Sequence, residues 1–545
     1  MIKGTRDTNT LSKGRRLGGG SYGAVYIGMN SSGEFAVKRN IVEGNVSFTR
    51  CIREADILSL LNGHPHIVPL ADIKVKEPFA VPMSPLARAT DRDDSIHFVF
   101  EKAECDLSKI AHNATKYPNH VYYPMIKNMM VDILLGMEFI HQNGIIHQDL
   151  KIDNVLYYPD KLNEAGEKGV SVICDMGLSA FHSKQLVGDH GVYSKLIKAP
   201  ELFYNRNFDY SIDVWALGCL FVGLYNRDNG ILNDLTLSEK ECEENSIRRV
   251  MTKIINTIPI TNEEFRTCLK VHDNKLIYPK KKRTWSTVLK PNNDFDGNLP
   301  LFHTLVGGML NVDKRKRLTV TQCLDHDFWD EKTKERIAAT RNKYKPGAKI
   351  EPLQIVYCIE REWFCSYLMD IFLFPSKIEG FNDRIAFHIL RLFDTYMYSI
   401  KDETNYDEET KDYGHYLTKE TVELCFWSLL NMCLKYFFVL DTVPSWEQLT
   451  PEKFHSEDYI EMIQDFENSI LHGVGYGFYK RSIYEEMDNY IDDNPDTQQR
   501  FVINVMMMYC FNKTLNGIRA DKLVEHVYTT LDPENIGLLM QRVML

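Results

Sequence analysis

The chain has no run of 18 apolar residues, so no segment is expected to cross a bilayer as a helix. No Cys-x-x-Cys pair occurs, which excludes the common zinc knots. The 12 cysteines are scattered, as Cys219 in ALGCLF and Cys433 in LNMCLKYFF, and read as small buried hydrophobes of a reducing compartment. Cations are not in surplus: Lys+Arg 64 against Asp+Glu 75 gives a net charge of -11. Phosphate-backbone affinity needs concentrated positive charge, so dedicated nucleic-acid binding is not expected. With Gly 31 and Pro 20 in 545 residues, collagen-like and Pro-rich polymers are excluded. The start, MIKGTRDTNT, is polar and carries no apolar h-region, so no secretory signal is expected. An intracellular, multi-domain protein remains, cytoplasmic or nuclear, with 44% hydrophobic and 26% charged residues.

What is present changes character along the chain. Residues 13–110 alternate apolar and polar in short runs (AVYIG, EFAVKR, SIHFVFE), with a turn signal at NSSG, and predict strands. One helical stretch interrupts them, FTRCIREADILSLL, with apolar Ile52, Ala55, Ile57, Leu58 and Leu61 on one side. From about 121 to 329 helical periodicity dominates, beginning with MIKNMMVDILLGMEFIHQNG. PDKLNEAGEKG at 159–169 reads as a surface insertion. Residues 330–350 are charged and thinly apolar, and read as a linker or an exposed helix plus turn. Residues 351–545 carry long aromatic-apolar helical runs such as RIAFHILRLFDTYMYSI and predict a separate all-α domain.

Three local patterns carry chemistry. Gly18, Gly20, Gly23 and Val25 fit G-x-G-x-x-G-x-V, where bare backbone can approach phosphates. No Gly-Lys-Ser/Thr closes this loop, which excludes a Walker A loop, and no helix follows, which counts against a Rossmann turn. Instead a strand follows, with Ala36 and then Lys38, which can reach phosphates if Glu54 pairs with it. The second pattern is IIHQDLKIDNVLY, with His147, Asp149, Lys151 and Asn154. Asp149 can accept a hydroxyl proton, Lys151 can sit by a γ-phosphate and Asn154 can hold Mg²⁺. The third is Asp175-Met176-Gly177 after the apolar VSVIC, a carboxylate at a strand end that suits a hard cation. Ala199-Pro200-Glu201 closes this segment, and Asp213 stands just ahead of a buried helix, where it could cap loop amides.

In this order and spacing, residues 11–329 resemble a eukaryotic-type protein kinase, and more closely a cyclin-dependent kinase. The resemblance implies an α+β bilobal fold, ATP with Mg²⁺, protein substrates and transfer to serine or threonine. It implies that FVFEKAECDL is the hinge, with Phe100 as gatekeeper, the backbone of Glu101 and Ala103 at the adenine, and Asp106 near the ribose. It also implies an Arg317–Glu201 pair.

The sequence departs from the family at several points. The arginine of H-R-D is Gln148, that of the L-A-R triplet is Ala180, and Met176 replaces the phenylalanine of D-F-G. Only Arg53 remains of the three arginines that clamp a phosphothreonine, and Asp189 falls near that threonine's place. Activation without phosphorylation is therefore expected, with an Asp189–Arg53 pair or with Asp189 as a solvated loop carboxylate. Ser194 falls where the substrate-loop hydroxyl contacts the catalytic aspartate, and Ile197-Lys198 before Ala199 puts a proline-directed preference in question.

The last 195 residues are similar in order to a cyclin box over about 355–490, with Trp363, Asp394, Lys435 and Glu467 at the resembling positions. Cyclins use that lysine and glutamate to grip the kinase helix. The resemblance implies an attached activator, docking within the chain or on a second copy, in the manner of a fused product of a large DNA virus. An extended 20-residue linker reaches about 70 Å. A generic helical bundle, a dimerisation domain and a silent kinase-like scaffold are the competing readings. KKKR at 280–283 and KRKR at 314–317 raise nucleic-acid association or nuclear targeting against solvated charge.

Overall fold

The computed structural model describes residues 11–20, 23–41, 44–74, 95–182, 199–203, 209–227, most of 251–259, 283–289, 298–345, 359–372, 378, 381–400, 417–437, 446–456 and single positions from 459 to 524. Two compact units divide at Pro346 and Gly347.

The first unit opens with strands β1 (Ser12–Gly20), β2 (Gly23–Asn30) and β3 (Gly33–Ile41), the last two joined by the tight Asn30–Gly33 turn that the sequence marks. Helix α1 (Gly44–Leu61) precedes β4 (Leu70–Lys74) and β5 (Ser95–Glu101). The five strands form one antiparallel sheet in the order β1-β2-β3-β5-β4. Alternation along β3 decides the two faces. Phe35 and Val37 are buried with Leu11 and Val99 in one apolar cluster, which turns Ala36 and Lys38 to the other face. On α1, Ala55, Ile57, Leu58 and Leu61 are buried, which anchors the helix that carries Glu54.

The chain then passes through β6 (Cys105–Asp106) into α2 (Leu107–His112) and α3 (Asn119–Gln142). Helix α3 buries residues on nearly every side, so it is the central post of this lobe. Short β7 (Ile145–Ile146) leads to the hairpin β8 (Val155–Leu162) and β9 (Lys168–Ile173), and β10 (Ala180–Phe181) returns to pair with β7. Helices α4 (Ser211–Asn226), α5 (Leu299–Met309) and α6 (Val320–Leu324) follow. In α4, Ile212 through Tyr225 are all buried, as expected for a helix that is apolar all round. A strand-built lobe thus precedes a helical lobe, in agreement with the composition change along the sequence.

Of the two expectations for 330–350, the linker is corrected and the helix is found over most of that length, though it is partly buried rather than exposed. Asp330 caps helix α7 (Glu331–Lys343) by accepting the Thr333 amide, and Arg336, Ile337 and Thr340 are buried. The helix is thinly apolar because ion pairs, more than hydrophobic burial, hold it to the first unit. Arg336 bonds Asp132 of α3 and, at 3.0 Å, Glu164 of the β8–β9 turn. Arg341 reaches Glu138 at 2.7 Å and Asp325 at 2.6 Å. The expected surface insertion at 159–169 is therefore the tip of a hairpin on which α7 rests.

The second unit contains α8 (Ile359–Phe372), α9 (Asp383–Ile400) and α10 (Lys419–Phe437), which pack pairwise. Phe364 stacks on Phe393 at 3.8 Å, and a buried Arg361–Asp394 pair joins α8 to α9 at 2.6 Å. Among the described residues of this unit no strand occurs, and no described helix of the chain is long and apolar enough to cross a membrane.

Candidate active site

The β1–β2 turn brings Gly18 opposite Val25 and Gly20 opposite Gly23. A Cβ at Gly23 would collide with the carbonyl of Arg39, so this position needs glycine for close backbone approach. At Gly18 the space is open.

Lys38 on β3 lies opposite Val25. Its Nζ donates to Glu54 Oε1 at 2.5 Å and to Asp175 Oδ1 at 2.7 Å. Burial opposes the lysine's charge, but the two carboxylates outweigh it and raise its pKa, so Lys38 stays protonated. Burial also pushes Glu54 upward against the pull of Lys38. For Asp175, burial pushes upward but the charge of Lys38 wins and holds the carboxyl below its usual range. The two carboxylates are unequal in exposure: the Glu54 side chain is 4% exposed and that of Asp175 42%. Glu54 therefore serves as the internal partner, while Asp175 keeps an open side.

The backbone at Asp175 is left-handed, with φ 64° and ψ 75°, a conformation that costs a non-glycine residue about 1–2 kcal/mol. A short 3-10 turn over Met176–Leu178 follows, against which α1 packs. Met176 is fully buried there, so a flexible thioether fills the place of the family's ring. A methyl on Gly177 would lie 3.3–3.5 Å from Asp175 Oδ1, Glu54 Oε2 and Lys38 Nζ together. Glycine thus keeps a cradle beside all three charges.

The loop after β7 supplies the remaining groups. Asp149 Oδ2 accepts from Lys151 Nζ at 2.6 Å and from Asn154 Nδ2 at 3.0 Å, and Asn154 also donates to the Asp149 carbonyl at 2.8 Å. Asp213, in the first turn of α4, accepts the amides of His147 at 2.8 Å and Gln148 at 2.9 Å. Its Oδ2 also lies 2.9 Å from His141 Nε2. Two pinned amides fix the loop although Gln148 has φ 68°. Arg317 binds Glu201 through two bonds of 2.6 and 3.0 Å and donates to the Ser211 and Asn311 carbonyls, which fixes the end of the segment that closes at Glu201.

At the hinge, Phe100 is buried opposite Ala36, and the Glu101 amide donates to the Pro69 carbonyl. Ala103 is half-buried. Asp106 Oδ1 is engaged in capping α2, accepting from Ser108 Oγ at 2.6 Å and the Lys109 amide at 3.0 Å. Arg53 is buried on α1. Asp189 and Ser194, and with them the proposed Asp189–Arg53 pair, lie outside the described residues. Of the basic run 314–317, Lys314 pairs with Asp209, Arg315 with Asp313 and Arg317 with Glu201; only Arg317 is buried, and the Arg315 side chain is 81% exposed. In the second unit, Glu467 accepts from Asn431 at 3.4 Å, one turn before Lys435 on α10.

The comparisons with known proteins agree with this geometry. The protein kinase domain family model matches residues 11–329. The chain belongs to the protein kinase family. A probable serine/threonine-protein kinase of Dictyostelium discoideum is 27% identical over 327 residues, 58% of this chain and 47% of that protein. The sporulation-specific mitogen-activated protein kinase of Saccharomyces cerevisiae is 28% identical over 339 residues, 58% of this chain and 76% of that protein. Cyclin-dependent kinase B2-1 of Arabidopsis thaliana is 25% identical over 331 residues, 59% of this chain and 94% of that protein. The matched stretch spans about half the length of the Dictyostelium relative and of the fungal ssn3 kinases. The family model's match ends at residue 329, ahead of the second unit.

Three groups were not read from the sequence. Tyr158 donates to the Glu101 carbonyl at 2.8 Å, and Lys161 bonds the Glu101 carboxylate at 2.9 Å. His66, between α1 and β4, contacts Glu164 at 3.1 Å. These contacts join residues 57 to 98 positions apart, and no local pattern announces them.

Proposed function

We propose that this chain transfers the γ-phosphoryl group of ATP to serine or threonine hydroxyls of protein substrates. The observation that carries the reading is one ammonium, Lys38, held jointly by Glu54 and Asp175, in a unit whose Asp149 is held by Lys151 and Asn154. Lys38 would neutralise nucleotide phosphates, and Glu54 fixes where its charge stands. Asp149 would orient the attacking hydroxyl and take its proton as the bond from oxygen to phosphorus forms and ADP leaves. Lys151, already at Asp149, would balance charge on the transferring group. The donor set fits a hard cation. The Asn154 amide nitrogen is committed to Asp149, which leaves its oxygen for a metal, and Asp175 offers a partly exposed carboxylate. Mg²⁺ bound there would supply charge neutralisation between phosphates.

The second unit is proposed as an attached cyclin-like activator. Its support is a three-helix packing, the order of the resembling residues, and covalent attachment, which raises effective concentration. A partner that biases α1 would act through the Lys38–Glu54 pair. The test of catalysis is labelled phosphate transfer by the full chain against Asp175→Asn, whose transfer should vanish; equal transfer would defeat the reading. For the activator role, Lys435→Ala with Glu467→Ala in the full chain should lower kcat by about tenfold at unchanged folding, since a gripping contact of roughly 1–2 kcal/mol is removed. Unchanged kcat would leave a kinase with an unrelated helical domain.

A further inference from the structure

The hinge of this kinase carries an interaction that bears on which nucleotide it accepts. Tyr158 stands on β8. It is 5% exposed, and its hydroxyl donates to the Glu101 carbonyl at 2.8 Å. Lys161 holds the arrangement from outside: its Nζ lies 3.9 Å over the Tyr158 ring and 2.9 Å from the Glu101 carboxylate. Burial, then the neighbouring Glu101 charge and the Cys174 thiol, raise the Tyr158 pKa, so the hydroxyl keeps its proton.

On the adenine reading of the hinge, on which this inference rests, the Glu101 carbonyl is the acceptor for the 6-amino group of the purine. Here that acceptor already has a donor. A carbonyl can take a second one, but two donors on one oxygen each bind more weakly than one alone. Guanine presents an acceptor, O6, at the same position, and a bare carbonyl would repel it. A tyrosine hydroxyl can turn its proton from the carbonyl to O6. We propose that Tyr158 relaxes purine selectivity at this hinge, so that GTP serves beside ATP as phosphoryl donor. With GTP the bond from the γ-phosphorus to the bridging oxygen breaks, a bond to the substrate hydroxyl oxygen forms, GDP leaves, and the hydroxyl proton passes to Asp149 and then to solvent.

The experiment measures kcat/KM of the full chain for ATP, GTP and purine riboside triphosphate, which lacks the 6-amino group, with Mg²⁺ and one peptide substrate. In the wild type, GTP and the purine analogue should fall within about tenfold of ATP, the span of one ordinary hydrogen bond. Tyr158→Phe frees the carbonyl and removes the hydroxyl, so the preference for ATP over both should widen by about fivefold. Lys161→Ala, which loosens the brace but keeps the hydroxyl, should leave both ratios unchanged. A merely structural Tyr158 would lower all three values together; unchanged ratios in Tyr158→Phe, or wild-type rejection of GTP beyond about 10³-fold, would overturn the inference while the kinase reading stands. No transfer from any of the three nucleotides would instead remove the kinase reading itself.

Discussion

Two ionic clusters of the first unit can be set side by side: Lys38 with Glu54 and Asp175 beside Gly177, and Arg336 with Asp132, Glu164 and His66 where α7 meets α3. Each surrounds one cation with two carboxylates. In the second cluster everything is closed, with side-chain exposures of 4% for Arg336, 1% for Asp132 and 11% for Glu164. In the first, Asp175 is 42% exposed and a glycine keeps space beside the charges. The difference separates binding from building. A cation enclosed by the fold ties elements together, whereas one held on an open side can still attract a phosphate.

Breaking the open cluster should cost activity, and breaking the closed one should cost stability. Lys38→Met should lower kcat/KM for phosphotransfer by about 10³-fold, because a preorganised charge is lost. Its melting temperature should change little, since Glu54, already pushed upward by burial, can take a proton and Asp175 reaches water. Arg336→Met should do the opposite. It leaves Asp132 buried with only the Ser171 amide at 2.7 Å and His66 at 3.6 Å, which costs roughly 1–3 kcal/mol and a few degrees in thermal melting, with kcat nearly unchanged well below the melting point. A large loss of kcat at low temperature in Arg336→Met would erase the contrast.

The smallest effect is a pH slope. Burial pushes the Glu164 carboxyl upward, but its bond to His66 and nearby charges win and hold it at about 2, against an ordinary 4.5. Between those values the unfolded chain binds a proton that the folded chain refuses, so stability is present above about 4.5 and is lost as pH falls toward 2. Glu164→Gln should therefore show a shallower decline in melting temperature between pH 5 and pH 3 than the wild type. Parallel curves would mean that Glu164 does not stabilise through its charge.

The same contrast explains what could be read from the sequence. Asp149, Lys151 and Asn154 lie within six residues, and the glycine turn within eight, so spacing alone exposes them. Lys38, Glu54 and Asp175 are far apart, and it took the resemblance of the whole segment to join them. The closed cluster had neither aid. Asp132 and Arg336 are separated by 204 positions, and α7 has a composition that suits a linker until its partners are known. Tyr158 likewise gains meaning only when β8 comes under the hinge. In the second unit, periodicity gave helices such as α9, while the Arg361–Asp394 pair that joins α8 to α9 depends on tertiary packing.

The most direct test of the account is single-turnover phosphotransfer from labelled ATP with Mg²⁺ to serine- and threonine-containing peptides, by the full chain and by Asp149→Asn, with folding checked by circular dichroism. The account predicts labelled serine or threonine with the wild type and a loss of about 10³-fold with the variant at equal nucleotide binding. Equal transfer by both proteins, or folded wild type that binds ATP yet labels nothing, would contradict it.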